Sequence, residues 1–175
     1  MSYDKNKWIY HNGVQNKIRY ILGTKGENPV LCFGINPSTA KPEELDKTLM
    51  FVERLAKNNG YDSWIMMNIY PQRATDPNDI HFEIDNTIHQ KNLAFIEKIL
   101  QQNKLDIWAA WGNLIEKRPF LKECLQDIYS LTTKYKCNWY HLGKKTKKGH
   151  PHHPLFLKST TSPEAFRIKS YINNL

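Results

Sequence analysis

Four polar stretches in this chain carry side chains able to do chemistry, and each follows an apolar run. They are Gly34-Ile35-Asn36-Pro37-Ser38, Asn68-Ile69-Tyr70-Pro71-Gln72-Arg73, Gly112-Asn113, and the basic segment HLGKKTKKGHPHHPLFLK at 141–158. In the first, Asn36 offers an acceptor and a donor, suited to orienting a water or reading an amide-like edge. Gly34 permits close backbone approach, and the N–H groups around Ser38 and Thr39 can meet a phosphate at a helix start. The same segment also reads as a structural turn. Asn68 ends the largely apolar run Trp64–Asn68. A buried amide must be hydrogen-bonded, to protein or to a ligand. Arg73 is an anion contact or a solvated surface residue.

The basic segment holds Lys144, Lys145, Lys147, Lys148 and Lys158 without an intervening acid. On a loop punctuated by Gly and Pro, such lysines can track a phosphate backbone or simply stay solvated. His150, His152 and His153 lie among them. Three nitrogens do not close a zinc site, and 152 and 153 point apart in an extended chain, so no metal is expected. Asp76, Asp79 and Asp85 are the carboxylates nearest the 68–73 loop. Asp85 reads better as a helix cap and Asp76-Pro77 as a turn. Neither a Walker loop nor GxGxxG occurs, so no nucleotide cofactor is implied.

These stretches need a scaffold. KIRYIL at 17–22, VLCFGI at 30–35, SWIMMNI at 63–69, LDIWAAW at 105–111 and CNWYHL at 137–142 read as strands. Helical periodicity runs from Glu43 to Asn59, with Pro42 in the first turn, and from Asn86 to about Gln102 behind Asp85. Further helices are expected over about 119–131 and from Ser162-Pro163 to about Ile172. This alternation predicts an open, mostly parallel sheet with helices on both sides, a three-layer α/β/α domain. One domain is expected over 1–175, with its core at about 17–158 and a terminal helix at about 162–173. Ligands of such sheets collect beyond the carboxyl ends of the strands, where all four stretches fall. Cys32, inside a core strand, reads as a small buried hydrophobe, and Trp108 and Trp111 as packing residues.

The chain has 175 residues, with 25 Lys plus Arg against 17 Asp plus Glu, a formal charge of +8. That favours acidic partners, DNA or nucleotides foremost, without choosing among them. No apolar run is long enough for a membrane helix. The three cysteines are scattered and odd in number, against a secreted disulfide scaffold. The N-terminus lacks a signal-peptide core, and a cytoplasmic location is expected. Oligomeric state is not written in these features.

GINPSTA, NIYPQRATDP, AAWGN and LGKKTKKGHPHHPLFL together resemble an uncharacterised bacterial and phage domain family, over roughly residues 17–158. More distantly, GINPS looks like the GINPG motif of mismatch-specific uracil/thymine DNA glycosylases, and HPLFL resembles the second motif of the uracil-DNA glycosylase superfamily. That resemblance implies a uracil-DNA-glycosylase-like fold and hydrolysis of the N-glycosidic bond of a pyrimidine nucleotide. It implies water positioning by Asn36, pyrimidine reading by Asn68, and a leaving-base or phosphate contact by His153. Gly34, Ser38, Thr39, Tyr70, Arg73 and Asn113 would complete the substrate site, with Tyr70 or Phe33 as a stacking surface. Lys144, Lys145, Lys147, Lys148 and His150 would hold nucleic acid. Ser38 stands where GINPG has its second Gly, Leu155 where the second motif has Ser, and no acidic water activator follows the first motif closely. A related base-, nucleotide- or nucleoside-processing hydrolase and a non-catalytic nucleic-acid- or nucleotide-binding protein are the alternatives.

Overall fold

The computed structural model describes residues 3–102 and 105–175. Strands β1 (Trp8–Asn12), β2 (Arg19–Thr24) and β3 (Pro29–Gly34) lead into helix α1 (Lys47–Asn58) and strand β4 (Ser63–Asn68). Helix α2 (Asn86–Gln102), strand β5 (Asp106–Ala109), helix α3 (Phe120–Lys134) and strand β6 (Asn138–Leu142) follow. Strand β7 (Pro163–Ala165) and helix α4 (Ile168–Asn173) close the chain. Among the described residues this is a mixed α/β fold with a seven-stranded sheet in the order β1-β2-β4-β3-β5-β6-β7.

The sheet is more mixed than the alternation of elements suggested. β4-β3-β5-β6 pair in parallel, but β1-β2, β2-β4 and β6-β7 are antiparallel. Helical crossovers give the parallel centre; the short β1–β2 connection at one end and the long segment 143–162 at the other lead into antiparallel edge strands. β3 shows why the centre reads as continuous apolar sequence. Leu31 and Phe33 enter one core cluster while Val30 and Cys32 enter another on the opposite face. Residues of α1 pack into the second cluster, and residues of α2, α3 and α4 into the first.

Three element boundaries differ from the sequence reading. α1 begins at Lys47 behind the cap Asp46, whose Oδ1 accepts from Leu49 N at 3.0 Å. Residues 41–44 instead form a tight turn bridged between Lys41 and Glu44, with Glu43 at φ 67°. Ser162-Pro163 starts no helix; Pro163–Ala165 lies along β6, and α4 starts at Ile168. Proline suits such an edge strand because no ladder N–H is asked of it. β1, within the polar N-terminal stretch, was not anticipated; it pairs with β2 and buries Trp8 against Trp64. Asp85 caps α2 as expected, its Oδ1 accepting from Thr87 N and Ile88 N.

The order of the parallel strands creates one crevice. The chain leaves β3 through α1 to β4 on one side, and later returns to place β5 on the other. The two connections depart over opposite faces, so the carboxyl ends of β3 and β5 are not covered by a common crossover. GINPS follows β3 there, and Trp111-Gly112 follows β5.

Candidate functional site

A polar cavity of about 190 Å³ occupies this crevice. Gly34, Ile35 and Asn36 from the β3 exit, Ser38, Thr75, Trp111, Leu114 and His153 line it, together with Arg19, Asp46, Thr48, Leu49 and Met66. Trp111, Leu114 and His153 also belong to an outer, largely apolar groove of about 860 Å³. Its other walls include Gly112, Asn113, Lys145, Lys147, His152, Leu155 and Phe156. The two spaces meet at His153.

Hydrogen bonds between distant blocks hold this arrangement. Asn36 Nδ2 donates to Ala74 O at 2.7 Å and to Pro37 O at 3.1 Å, while Ala74 N donates to Pro37 O at 2.9 Å. Both amide hydrogens of Asn36 are thereby committed, and its Oδ1 accepts no bond among the described residues. Ser38 Oγ meets Thr75 Oγ1 at 3.1 Å. Across the cleft, Gly112 N donates to Pro151 O at 2.9 Å, and Thr146 Oγ1 to Asn113 Oδ1 at 2.8 Å. Gly112 has φ +65° and a Cβ there would lie 3.2 Å from His153 Cβ, so glycine admits the histidine loop.

His153 caps the short 3₁₀ turn Pro154–Phe156, its Nδ1 accepting from Leu155 N at 3.4 Å. An accepting Nδ1 leaves the proton of the neutral ring on Nε2. Burial pulls the imidazole below the usual histidine range, against the opposing pull of Asp46. His153 thus offers a neutral N–H donor at neutral pH.

Asn68 is fully buried, and among the described residues neither its Oδ1 nor its Nδ2 has a partner. It alternates with Trp64 and Met66 along β4 and so shares the cavity's face of the sheet. It does not line the cavity; Met66 does. A Cβ on Gly34 would lie 2.7 Å from Met66 Cε and 3.3 Å from Asn68 Oδ1, so both side chains crowd the space that glycine leaves.

The other expected residues divide. Arg73 clamps the first loop: Nη1 donates to Ser38 O, and Nη2 to Ala40 O at 3.0 Å and Tyr10 OH at 3.2 Å. It joins Ser38, Thr39 and Thr75 around a separate, shallow depression. Thr39 lies only there. Tyr70 and Phe33 belong to the core cluster on the opposite face and offer this cavity no stacking surface. The Tyr70 hydroxyl bonds His81 Nδ1 at 2.8 Å and accepts from Asp85 N at 3.0 Å; burial raises its pKa to about 12. His150 is buried with both ring nitrogens engaged, Nδ1 with Tyr171 OH at 2.8 Å and Nε2 with Glu116 Oε1 at 3.0 Å. It fastens the basic loop and presents nothing to a nucleic acid. Lys148 pairs with Glu116. Lys145 and Lys147 remain on the groove, and Lys144 is exposed outside it.

A protein-family model described as protein of unknown function (DUF1643) matches residues 19–155. The chain belongs to the DUF1643 family. No curated protein and no solved structure matches it. The DUF1643 span runs from Arg19 on the inner wall to Leu155 on the outer groove and includes the cavity residues between them.

Two charged cavity residues of this DUF1643 chain escaped the sequence reading. Asp46 supplies the carboxylate that GINPS lacks locally, ten residues after Asn36; as a helix cap it carries no distinctive pattern. Arg19 is 2% exposed, and burial, with Arg73 adding to it, brings its pKa down to about 9. Its signal was a charge inside the strand run KIRYIL. Among the described residues no three His, Cys, Asp or Glu side chains group as a metal site, and no helix is long and apolar enough to cross a membrane.

Proposed function

We propose that the protein hydrolyses the N-glycosidic bond of a pyrimidine nucleotide, on a domain of the three-layer, uracil-DNA-glycosylase-like type. The observation that carries this reading is that Asn36 and His153, from opposite ends of the chain, face one cavity with Asp46. The base occupies the outer groove against Leu114, Leu155 and Phe156, and the sugar lies at the junction beside His153. Asn36 Oδ1, which meets no donor among the described residues, accepts a hydrogen bond from water. That water adds to C1′ as the C1′–N bond breaks, and the bonding pair leaves with the base. One water proton passes to the Asp46 carboxylate and then to solvent, while the departing base is protonated. His153 Nε2–H donates to the charge developing on the base. Lys145 and Lys147 attract the phosphates of a nucleotide or strand toward the groove.

A second reading is favoured by the outer groove alone. Phe156 is 76% exposed beside Lys145 and Lys147, a surface able to hold single-stranded nucleic acid without chemistry. One assay separates the two. The protein is incubated with single- and double-stranded DNA carrying uracil, mismatched thymine or hydroxymethylated pyrimidines, and with pyrimidine nucleoside monophosphates, and free base is measured. Base release that is lost in Asn36→Ala is expected. No release across the panel refutes hydrolysis, and nucleic-acid binding that survives Asn36→Ala then leaves the binding protein.

A further inference from the structure

We infer that the inner end of the cavity is a receptor for a terminal phosphate monoester, with Arg19 as its anchoring residue. Arg19 lines the cavity yet is almost wholly buried. It donates one hydrogen bond among the described residues, from Nη1 to Ala40 O at 3.2 Å, and its Nε–H has no partner. Among the described residues no carboxylate lies within ion-pair distance of it, and Asp46 acts on it only through its field. Arg73 aims its Nη2 at the same carbonyl at 3.0 Å, and its remaining bonds also go to neutral oxygens. Two cations converge on one carbonyl, and the Asp46 carboxylate on the same wall is one negative charge against two positive ones. An oxyanion completes the set, accepting from the second Nη group of Arg19, which makes no hydrogen bond among the described residues and, unlike Nε, is not sealed off from the cavity.

The rest of the wall agrees. Thr48 and Leu49, in the first turn of the twelve-residue α1, also line the cavity, so the positive end of that helix faces the same space. Asp46 is the opposing group, and its carboxylate repels an anion from its own side of the cavity. The anion therefore belongs on the Arg19 side. Burial lowers the Arg19 pKa to about 9, and a bound dianion favours its charged form again. A strand must enter and leave a site, whereas a guanidinium 2% exposed at the inner wall is reached by a chain end. The ligand class is thus a nucleoside monophosphate. This step rests on the reading that the base occupies the outer groove.

Binding of inorganic phosphate, uridine and its 5′-monophosphate is measured by calorimetry at constant ionic strength set with chloride. Saturable phosphate binding is expected, and the monophosphate should bind at least about tenfold more tightly than uridine. Arg19→Gln should lose about tenfold or more for both phosphate and monophosphate. Absence of saturable phosphate binding, equal affinity for nucleoside and monophosphate, or an unaffected Arg19→Gln variant each overturns the proposal. Should Arg19→Gln fail to fold, the wild-type protein answers by NMR: phosphate should shift a slowly exchanging arginine Nε–H resonance, and no shift overturns it. The two readings fail separately. Phosphate binding without base release sinks hydrolysis alone, and base release from uridine as fast as from its monophosphate sinks the phosphate receptor alone.

Discussion

The proposed hydrolysis gives the helix cap Asp46 a second job, and one pair of substitutions separates the two. Its Oδ1 caps α1 through a single 3.0 Å bond from Leu49 N, and its carboxylate faces the cavity shared by Asn36 and His153. Asn is as good a cap as Asp, so Asp46→Asn keeps the accepting oxygen and should move stability by less than about 0.5 kcal/mol. It replaces the proton-accepting oxygen with an NH₂ group that cannot take a proton from water. Base release should fall ~10²–10⁴-fold, the usual contribution of a positioned general base. Asp46→Ala loses both functions. Its missing cap costs about 1 kcal/mol, or a melting temperature lower by about 2–4 °C for a chain of this size. The assays are steady-state base release and thermal unfolding on all three proteins. The Asn variant should also bind inorganic phosphate no more weakly than wild type, since a negative charge has left the wall. If Asp46→Asn releases base within threefold of the wild-type rate, the carboxylate is a cap and nothing more.

Gly34→Ala should destabilise the fold by about 1–3 kcal/mol, because its Cβ meets Met66 Cε at 2.7 Å; a wild-type urea midpoint would show that Met66 yields freely. Phe156→Ala should weaken single-stranded DNA binding with stability unchanged within about 0.5 kcal/mol, read by fluorescence anisotropy and thermal unfolding. Unchanged affinity removes Phe156 from the interface. Burial lowers the pKa of His153, His11 and His141 below 6.5. The unfolded chain therefore binds protons first as pH drops through 6.5, and the fold should lose stability in that window. A urea midpoint at pH 5.5 equal to or above that at pH 7.5 contradicts this.

Much of the scaffold was legible because its signals are local. Strands β3 and β4 announced themselves as continuous apolar runs because both sheet faces are covered, and Asp85 marked the start of α2 through side-chain chemistry confined to one turn. The errors lie where neighbours decide. Pro163–Ala165 became a strand because β6 offered an unpaired edge, and Trp8–Asn12 because β2 offered another. Residues 143–162 separate β7 from β6, whereas only residues 13–18 separate β1 from β2. GINPS, Asn68 and the HPLFL segment were visible as polar interruptions, yet their types alone could not say which face each side chain takes.

The sequence by itself determined the parallel strand–helix core, the concentration of lysines after β6, and the carboxyl-end position of its polar motifs. Periodicity, caps and apolar runs are short-range properties, readable within a turn or a strand. Tertiary structure alone decided that Asn36 and His153 share a cavity, that Tyr70 and His150 are spent on internal hydrogen bonds, and that Arg19 and Asp46 complete the wall. Those outcomes depend on strand order and on which polar atoms remain unpaired after every nearer partner is taken. Arg19 shows the reason most plainly. A charged residue in a strand reads as surface until the fold buries it with a nitrogen left unpaired.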